Sequence, residues 1–196
     1  MTIKYLHSTV FLYECFLIFA KMKNRKLLNI ELGRISAEQY KATEFSGVEV
    51  VLDNIRSAHN VGSILRSCDA FHIDRVWLCG ITPAPPSAEI HKTALGAEDS
   101  VPWVHCQETS LVVRDLLGKG YELGAVEQTE HSVKLQDFSR EPGRRYALVF
   151  GNEVDGVSQD VVDLCGFSLE IPQYGTKHSL NVSVCAGIVL WSVTNK

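Results

Sequence analysis

The 196-residue chain holds no C-x-x-C pair, no G-x-G-x-x-G or G-x-x-x-x-G-K-[S/T] loop, and no G-x-S-x-G elbow. Each absence removes a class of chemistry. Without paired cysteines at ligand spacing there is no zinc-finger or dithiol motif. Without the glycine loops, the common dinucleotide and nucleoside-triphosphate sites lose their phosphate cradles. Without the elbow, serine hydrolysis lacks an exposed nucleophile. His178 and Ser179 are neighbours in sequence, and successive side chains diverge, so they make no triad. The six cysteines, Cys15, Cys68, Cys79, Cys106, Cys165 and Cys185, stand singly in apolar stretches and read as buried free thiols of a reducing, cytoplasmic compartment. His59, His72, His91, His105, His131 and His178 are scattered, and no metal is expected.

An excess of charge of one sign is also lacking. Nineteen Lys and Arg against 23 Asp and Glu leave a net charge of −4, which excludes a polybasic coat and restricts any nucleic-acid contact to a local patch. With 14 Gly and 6 Pro, collagen-like and low-complexity readings fall away. The apolar run Val10–Ala20 contains Glu14, is far shorter than the ~20 residues that span a bilayer, and is followed by no A-x-A-like cleavage site. Neither a membrane span nor a signal peptide is expected there. Met22 is an alternative start, and residues 1–21 are set aside from fold reasoning.

Met22–Ser46 is charged and helix-friendly, with Lys23, Arg25, Lys26 and Arg34 ahead of an amphipathic pattern. It reads as an arm that either meets phosphates or packs on the domain as a solvated helix. From Gly47 onward, β-rich runs at Val48–Leu52, Arg75–Cys79, Tyr121–Val126, Tyr146–Phe150 and Phe167–Ile171 alternate with helical patterns. Val61, Ile64, Leu65 and Cys68 follow i, i+3, i+4, i+7; Thr109–Lys119, Ser158–Leu164 and Ser179–Thr194 are the other helical stretches. The expectation is an extension over residues 1–46 and a domain over 47–196, α/β in class, with a mainly parallel sheet covered by helices on both faces.

Ligands of such sheets sit at the carboxyl ends of the strands. Three polar loops lie there: Asp53–Gly62, Gly151–Ser158 and Pro172–Val182. Each polar residue in them has a plain structural reading. Arg66 suits a surface ion pair and Asn60 a helix N-cap. Gly62 suits close packing, and Gly151 and Gly156 suit positive-φ turns. Glu153 suits loop bracing through backbone or Asn hydrogen bonds, Ser158 the cap of the next helix, Ser179 the cap of the last helix, and Asn181 its first turn. Acid or base chemistry by Glu153 requires a shifted pKa.

Taken together, the loops resemble the three motifs of the SpoU branch of the SPOUT superfamily, the tRNA and rRNA ribose 2′-O-methyltransferases. The first is matched by Asn60-Val61-Gly62-Ser63-Ile64-Leu65-Arg66, running on to Asp69-Ala70-Phe71. The second is matched by Leu148-Val149-Phe150-Gly151-Asn152-Glu153 through Gly156-Val157-Ser158. The third is matched by Ile171-Pro172 followed by Ser179-Leu180-Asn181-Val182-Ser183-Val184. They occur in the family's order, the likeness runs from Val48 to Val193, and Lys92–Ala97 resembles a further family segment.

The resemblance implies a deep trefoil knot at the carboxyl end, with Ile171–Ser179 threaded through a loop, an exception to the near absence of threaded chains. It implies S-adenosyl-L-methionine held by Gly151, Ile171, Pro172 and Leu180, with Gln128 and Thr129 nearby. It implies an RNA substrate, tRNA or rRNA, and a homodimer with sites at the interface. Asn60, Arg66, Glu153, Ser179 and Asn181 form its catalytic set. Arg66 acts on the ribose hydroxyl either as a base or by holding a phosphate and the developing alkoxide charge; a guanidinium essentially never gives up its proton, which favours the second. The alternative is a non-catalytic RNA-binding or assembly protein that keeps the fold; the presence of all five polar residues favours the enzyme. A metabolite-binding α/β protein has no motif of its own here.

Overall fold

The computed structural model describes residues 24–43 and 46–195. The run Val10–Ala20, Cys15 and Met22 lie outside them. The chain divides into two units after Ile35. In the first, a 3-10 turn at Asn29–Leu32 is held by Arg25, whose guanidinium donates to both Glu31 oxygens at 2.9 and 2.6 Å. Arg25 is thus already paired within the arm.

The second unit opens at helix α1 (Ala37–Ala42), where the Ser36 hydroxyl accepts from Gln39 N and the Gln39 side chain accepts from Ser36 N. Tyr40 is buried, and its hydroxyl donates to the carbonyls of Cys68 and Ile73. The compact unit therefore takes in residues that the sequence assigned to the extension.

Seven strands build one sheet: β1 (Val48–Asp53), β2 (Arg75–Cys79), β3 (Trp103–Cys106), β4 (Tyr121–Val126), β5 (Val133–Lys134), β6 (Arg145–Gly151) and β7 (Phe167–Glu170). Their order is β3-β2-β1-β6-β4-β7-β5, and every pairing is parallel. The five expected strands are present with ends shifted by at most one residue. β3 and β5 were not anticipated. They are the sheet's two edges, half exposed or two residues long, and a strand without a buried face carries no apolar period to read.

Both faces are covered, as the unbroken apolar strands require. On one face Val48, Val50, Leu52, Leu148 and Phe150 meet helices α2 (Ala58–Ala70), α3 (Ala88–Ala94), α4 (Ala97–Ser100) and α7 (Val182–Thr194). On the other, Val51, Ala147 and Val149 meet α5 (Thr109–Gly118) and α6 (Gln159–Val162), the latter shorter than expected. The period-two side-chain alternation of a strand is what splits β1 and β6 between the two clusters. Glu49 and, at the strand's end, Asp53 are the charged residues of β1; Trp77 Nε1 and Tyr121 Oη donate to the two Glu49 carboxylate oxygens at 2.5 and 2.9 Å, so neither is buried alone.

Candidate active site

The loops after β1, β6 and β7 meet at the carboxyl ends of the strands. Glu153 is the joint between two of them: its carboxylate accepts from Arg56 N at 3.1 Å, Ser57 N at 3.3 Å and Asn60 Nδ2 at 2.7 Å. Asn60 Oδ1 in turn accepts from Asn181 Nδ2 at 3.2 Å, and Asn181 Oδ1 accepts from Ser183 N and Oγ and from Val184 N. The donors all point one way, from Asn181 through Asn60 to the carboxylate. A chain aligned like this is mutually polarising and admits one orientation of each amide.

The plain readings of Asn60 and Ser179 as helix caps, and of Asn181 as a first-turn residue, are overturned. The N-cap of α2 is Ser57, whose hydroxyl accepts from Asn60 N, which frees the Asn60 side chain for Glu153. The N-cap of α7 is Asn181, so Ser179 is left outside the helix. Ser158 does not cap α6 with its side chain; its N–H and hydroxyl both donate to Asp53.

Burial by itself raises the Glu153 pKa, but the hydrogen bonds from Asn60, Arg56 and Ser57 outweigh it and leave the group below its ordinary value of 4.5. An ionised carboxylate with three donors is a poor proton acceptor at neutral pH. Its work is mechanical. Because the folded pKa is depressed, the bracing is fully present above the unfolded value and is lost as pH falls through the folded one. Glu153→Gln is expected to speed amide exchange at Arg56 and Ser57. In the unsubstituted chain the same amides, corrected for intrinsic rates, should lose protection only on acidification below about 4.5; equal protection in the variant would refute the brace.

The loop between Gly151 and Gly156 is closed by a reciprocal pair of backbone bonds, Asn152 N to Gly156 O and Gly156 N to Asn152 O, both 3.1 Å. Gly156 has φ +71° and lies against Glu127, which accepts from Val157 N at 3.0 Å. Gly151, contrary to expectation, has no positive φ; it is needed because a Cβ would lie 1.9 Å from the Gly156 carbonyl carbon. Buried Asp53 pins the far end of the loop, accepting from Ser158, Asn54 Nδ2 and Thr109 Oγ1.

These loops enclose a cavity of about 270 Å³. Gly151, Glu153, Ile171, Ser179, Leu180, Asn181 and Gln128 line it. Gln128 Nε2 donates to His178 O at 2.8 Å, tying the loop after β4 to the loop after β7. Val126, Phe150, Leu169 and Cys185 supply an apolar wall that the sequence did not single out. Burial, reinforced by nearby Glu127, pushes the Cys185 thiol up to about 11, so it is no nucleophile at neutral pH. Glu127, Glu153 and Glu170 line the cavity, and among the described residues no Lys, Arg or His does.

Four expected residues do not line the cavity: Asn60 reaches it only through its bonds to Glu153 and Asn181, and three others fall elsewhere. Pro172 does not line the cavity, and Thr129 lines a neighbouring one with Glu130, His131 and Asp163. Arg66 stands six residues after Asn60, rotated about 120° and displaced about 9 Å along α2. It is exposed in a groove with Ser63, Lys92, Thr93 and Gly187, and among the described residues it has no ion pair. Among the described residues no cluster of His, Cys, Asp and Glu could hold a metal ion, and no helix is long and apolar enough to cross a membrane.

The sequence model of the SpoU rRNA Methylase family matches residues 47–191. A Staphylococcus epidermidis protein assigned to the TrmH family of tRNA/rRNA methyltransferases is 30% identical over 159 residues, covering 81% of this chain and 62% of that protein. The chain thus spans a little under two thirds of the length of such curated relatives. Among solved structures, an AdoMet-bound rRNA methyltransferase from Sinorhizobium meliloti superposes with a TM-score of 0.70 at 26% identity, covering 78% of this chain and 58% of that one. The TrmH/SpoU tRNA modifying enzyme of A. aeolicus gives 0.71 at 24% identity, over 81% and 80% of the two chains, a likeness of fold.

Proposed function

Since the chain belongs to the SpoU rRNA methylase family, we propose that it is an S-adenosyl-L-methionine-dependent methyltransferase acting on a ribose 2′-hydroxyl of tRNA or rRNA, with residues 47–196 as its catalytic domain. The observation that carries this reading is the Asn181–Asn60–Glu153 hydrogen-bond chain, which joins the three motif-bearing loops at one cavity.

The cavity's donor set fits the cofactor. Three carboxylates and no cation suit a positively charged sulfonium, and the apolar wall suits a purine ring. When bound, the cofactor supplies an activated methyl group. Glu153 holds the cavity's rim to the start of α2, Asn60 and Asn181 fix the rim's geometry, and the Ser179 hydroxyl, unpartnered among the described residues, is free to meet a ligand. The planar guanidinium of Arg66 suits the phosphate beside the target ribose and the charge that grows on the 2′-oxygen, while the hydroxyl proton leaves to water or phosphate.

We further propose a homodimer. Val184, Ile188 and Trp191 follow a three-four spacing on α7 and are 52%, 39% and 61% exposed, an apolar stripe left uncovered among the described residues. Gly187, between them, borders the Arg66 groove, so pairing along α7 brings Arg66 of one protomer toward the cavity of its partner. Trp191→Glu is expected to convert the dimer to a monomer in sedimentation velocity with an unchanged circular dichroism spectrum; an unshifted sedimentation coefficient would sink this interface. The same reading puts the protein in the cytoplasm with its RNA, and threads the segment before α7 through a knot.

The decisive experiment is transfer of labelled methyl from S-adenosyl-L-methionine to tRNA and, separately, to rRNA, followed by alkaline hydrolysis. A 2′-O-methyl group blocks cleavage at its own linkage, so label should collect in an alkali-resistant dinucleotide. Cofactor and RNA binding without transfer would favour the non-catalytic alternative.

A further inference from the structure

The groove that holds Arg66 is built from α2, α3 and α7 and is lined by Ser63, Arg66, Ser67, Ala70, Phe71, Lys92, Thr93 and Gly187. Its chemistry is one-sided. The Ser63 hydroxyl donates to His59 O at 2.9 Å, the Ser67 hydroxyl to Ser63 O at 3.1 Å, and the Thr93 hydroxyl to His59 O at 2.9 Å. Every hydroxyl hydrogen in the lining is thereby committed to a backbone carbonyl. What remains free to donate is the Arg66 guanidinium and the Lys92 ammonium, both exposed and both without an ion pair among the described residues. Among the described residues no carboxylate lines the groove, on a chain whose net charge is −4. Such a groove matches a ligand that accepts hydrogen bonds, carries negative charge and offers no donors.

A phosphodiester is that ligand. Gly62 is what lets the two cations share one groove: a Cβ there would lie 2.2 Å from Thr93 Oγ1 and 2.3 Å from Ile90 O, so α2 and α3 can approach only because the position is glycine. We propose that this groove is an RNA backbone subsite in which Lys92 seats a phosphodiester next to the one that Arg66 engages. The inference rests on the RNA methyltransferase reading and extends it by naming a substrate contact in α3. Lys92 is a positioning residue; it holds the strand and touches no reacting atom.

The test is the salt dependence of RNA binding, measured without cofactor on the full chain with a mixed tRNA preparation and with rRNA fragments as probes. Each neutralised phosphate contributes about 0.7 to the slope of log affinity against log salt for single strands and about 0.9 for duplex. Lys92→Ala should lower the slope by that amount, so that its deficit relative to the unsubstituted chain shrinks about 2.6-fold (single strand) to about 3.5-fold (duplex) between 50 and 200 mM salt. Lys92→Arg, which keeps the charge, should keep the slope. Lys119→Ala, which removes a cation paired with Asp115 before β4, should also keep it. In steady-state methylation Lys92→Ala should raise KM for RNA and leave kcat nearly unchanged.

An unchanged slope in Lys92→Ala, or equal losses in Lys92→Ala and Lys119→Ala, overturns the groove. Absence of salt-dependent RNA binding by the unsubstituted chain overturns it as well. Cofactor titration and methyl transfer by the unsubstituted chain are separate readouts, so the groove can fail while the enzymatic reading survives.

Discussion

Arg66→Lys is expected to lower kcat for methyl transfer by about 10²-fold or more, the scale seen when one preorganised charge-stabilising donor is lost, while cofactor affinity stays unchanged. The two expectations follow from different parts of the geometry. Arg66 does not line the cavity, so its replacement should leave calorimetric titration with S-adenosyl-L-methionine as it was. Lysine keeps the charge but presents a compact point donor where arginine presents a planar fork, so a role that needs two aligned N–H groups cannot be rescued by it. Turnover within a few-fold of the unsubstituted chain would rule out the fork and leave only a through-space charge effect. If Arg66 serves a partner's cavity, mixing Arg66→Lys with a chain inactivated at the cavity should restore about a quarter of normal activity through heterodimers.

Gly151→Ala is expected to abolish measurable cofactor binding. The new methyl would lie 1.9 Å from the Gly156 carbonyl carbon and 2.0 Å from Val157 N, both backbone atoms with no rotamer to swing aside. The turn Asn152–Gly156 must therefore open, and opening it withdraws Glu153 from Arg56, Ser57 and Asn60. Overpacking of this kind costs about 1–3 kcal/mol, which for a chain of this size lowers Tm by roughly 2–12 °C. Cofactor heats indistinguishable from those of the unsubstituted chain would show that the turn relaxes without disturbing the cavity.

The sheet could be read from the sequence wherever a strand is buried on both faces. β6 and the middle of β4 are continuous apolar runs and β1 is one broken only by Glu49, and the expected ends lie within a residue of the observed ones. β3 and β5 could not be read, because an edge strand is specified by pairing with its neighbour and not by its own pattern. The site divides in the same way. Motif resemblance picked out Asn60, Glu153 and Asn181, but local chemistry alone assigned Asn60 and Ser179 to helix caps. Ser57 and Asn181 take the caps instead, and contacts spanning 93 and 121 residues of chain then engage the Asn60 side chain. Asp53 left a faint mark as an acid ending an apolar strand; nothing local says that Ser158 and Thr109 will meet it. Arg66 shows the converse case: its place in the motif is plain, while its separation from the cavity depends on the turn of one helix.

The wholly parallel sheet has a consequence for how the chain reaches its native state. Parallel neighbours cannot be joined by a tight hairpin, so every rung is a non-local contact, and folding is correspondingly slow. During synthesis β2 can find β1 early, but the other side of β1 waits for β6, and Asn181 emerges later still. For that interval an apolar strand edge stands open to other nascent chains, which makes ribosome-associated chaperones the natural guardians of this protein's yield.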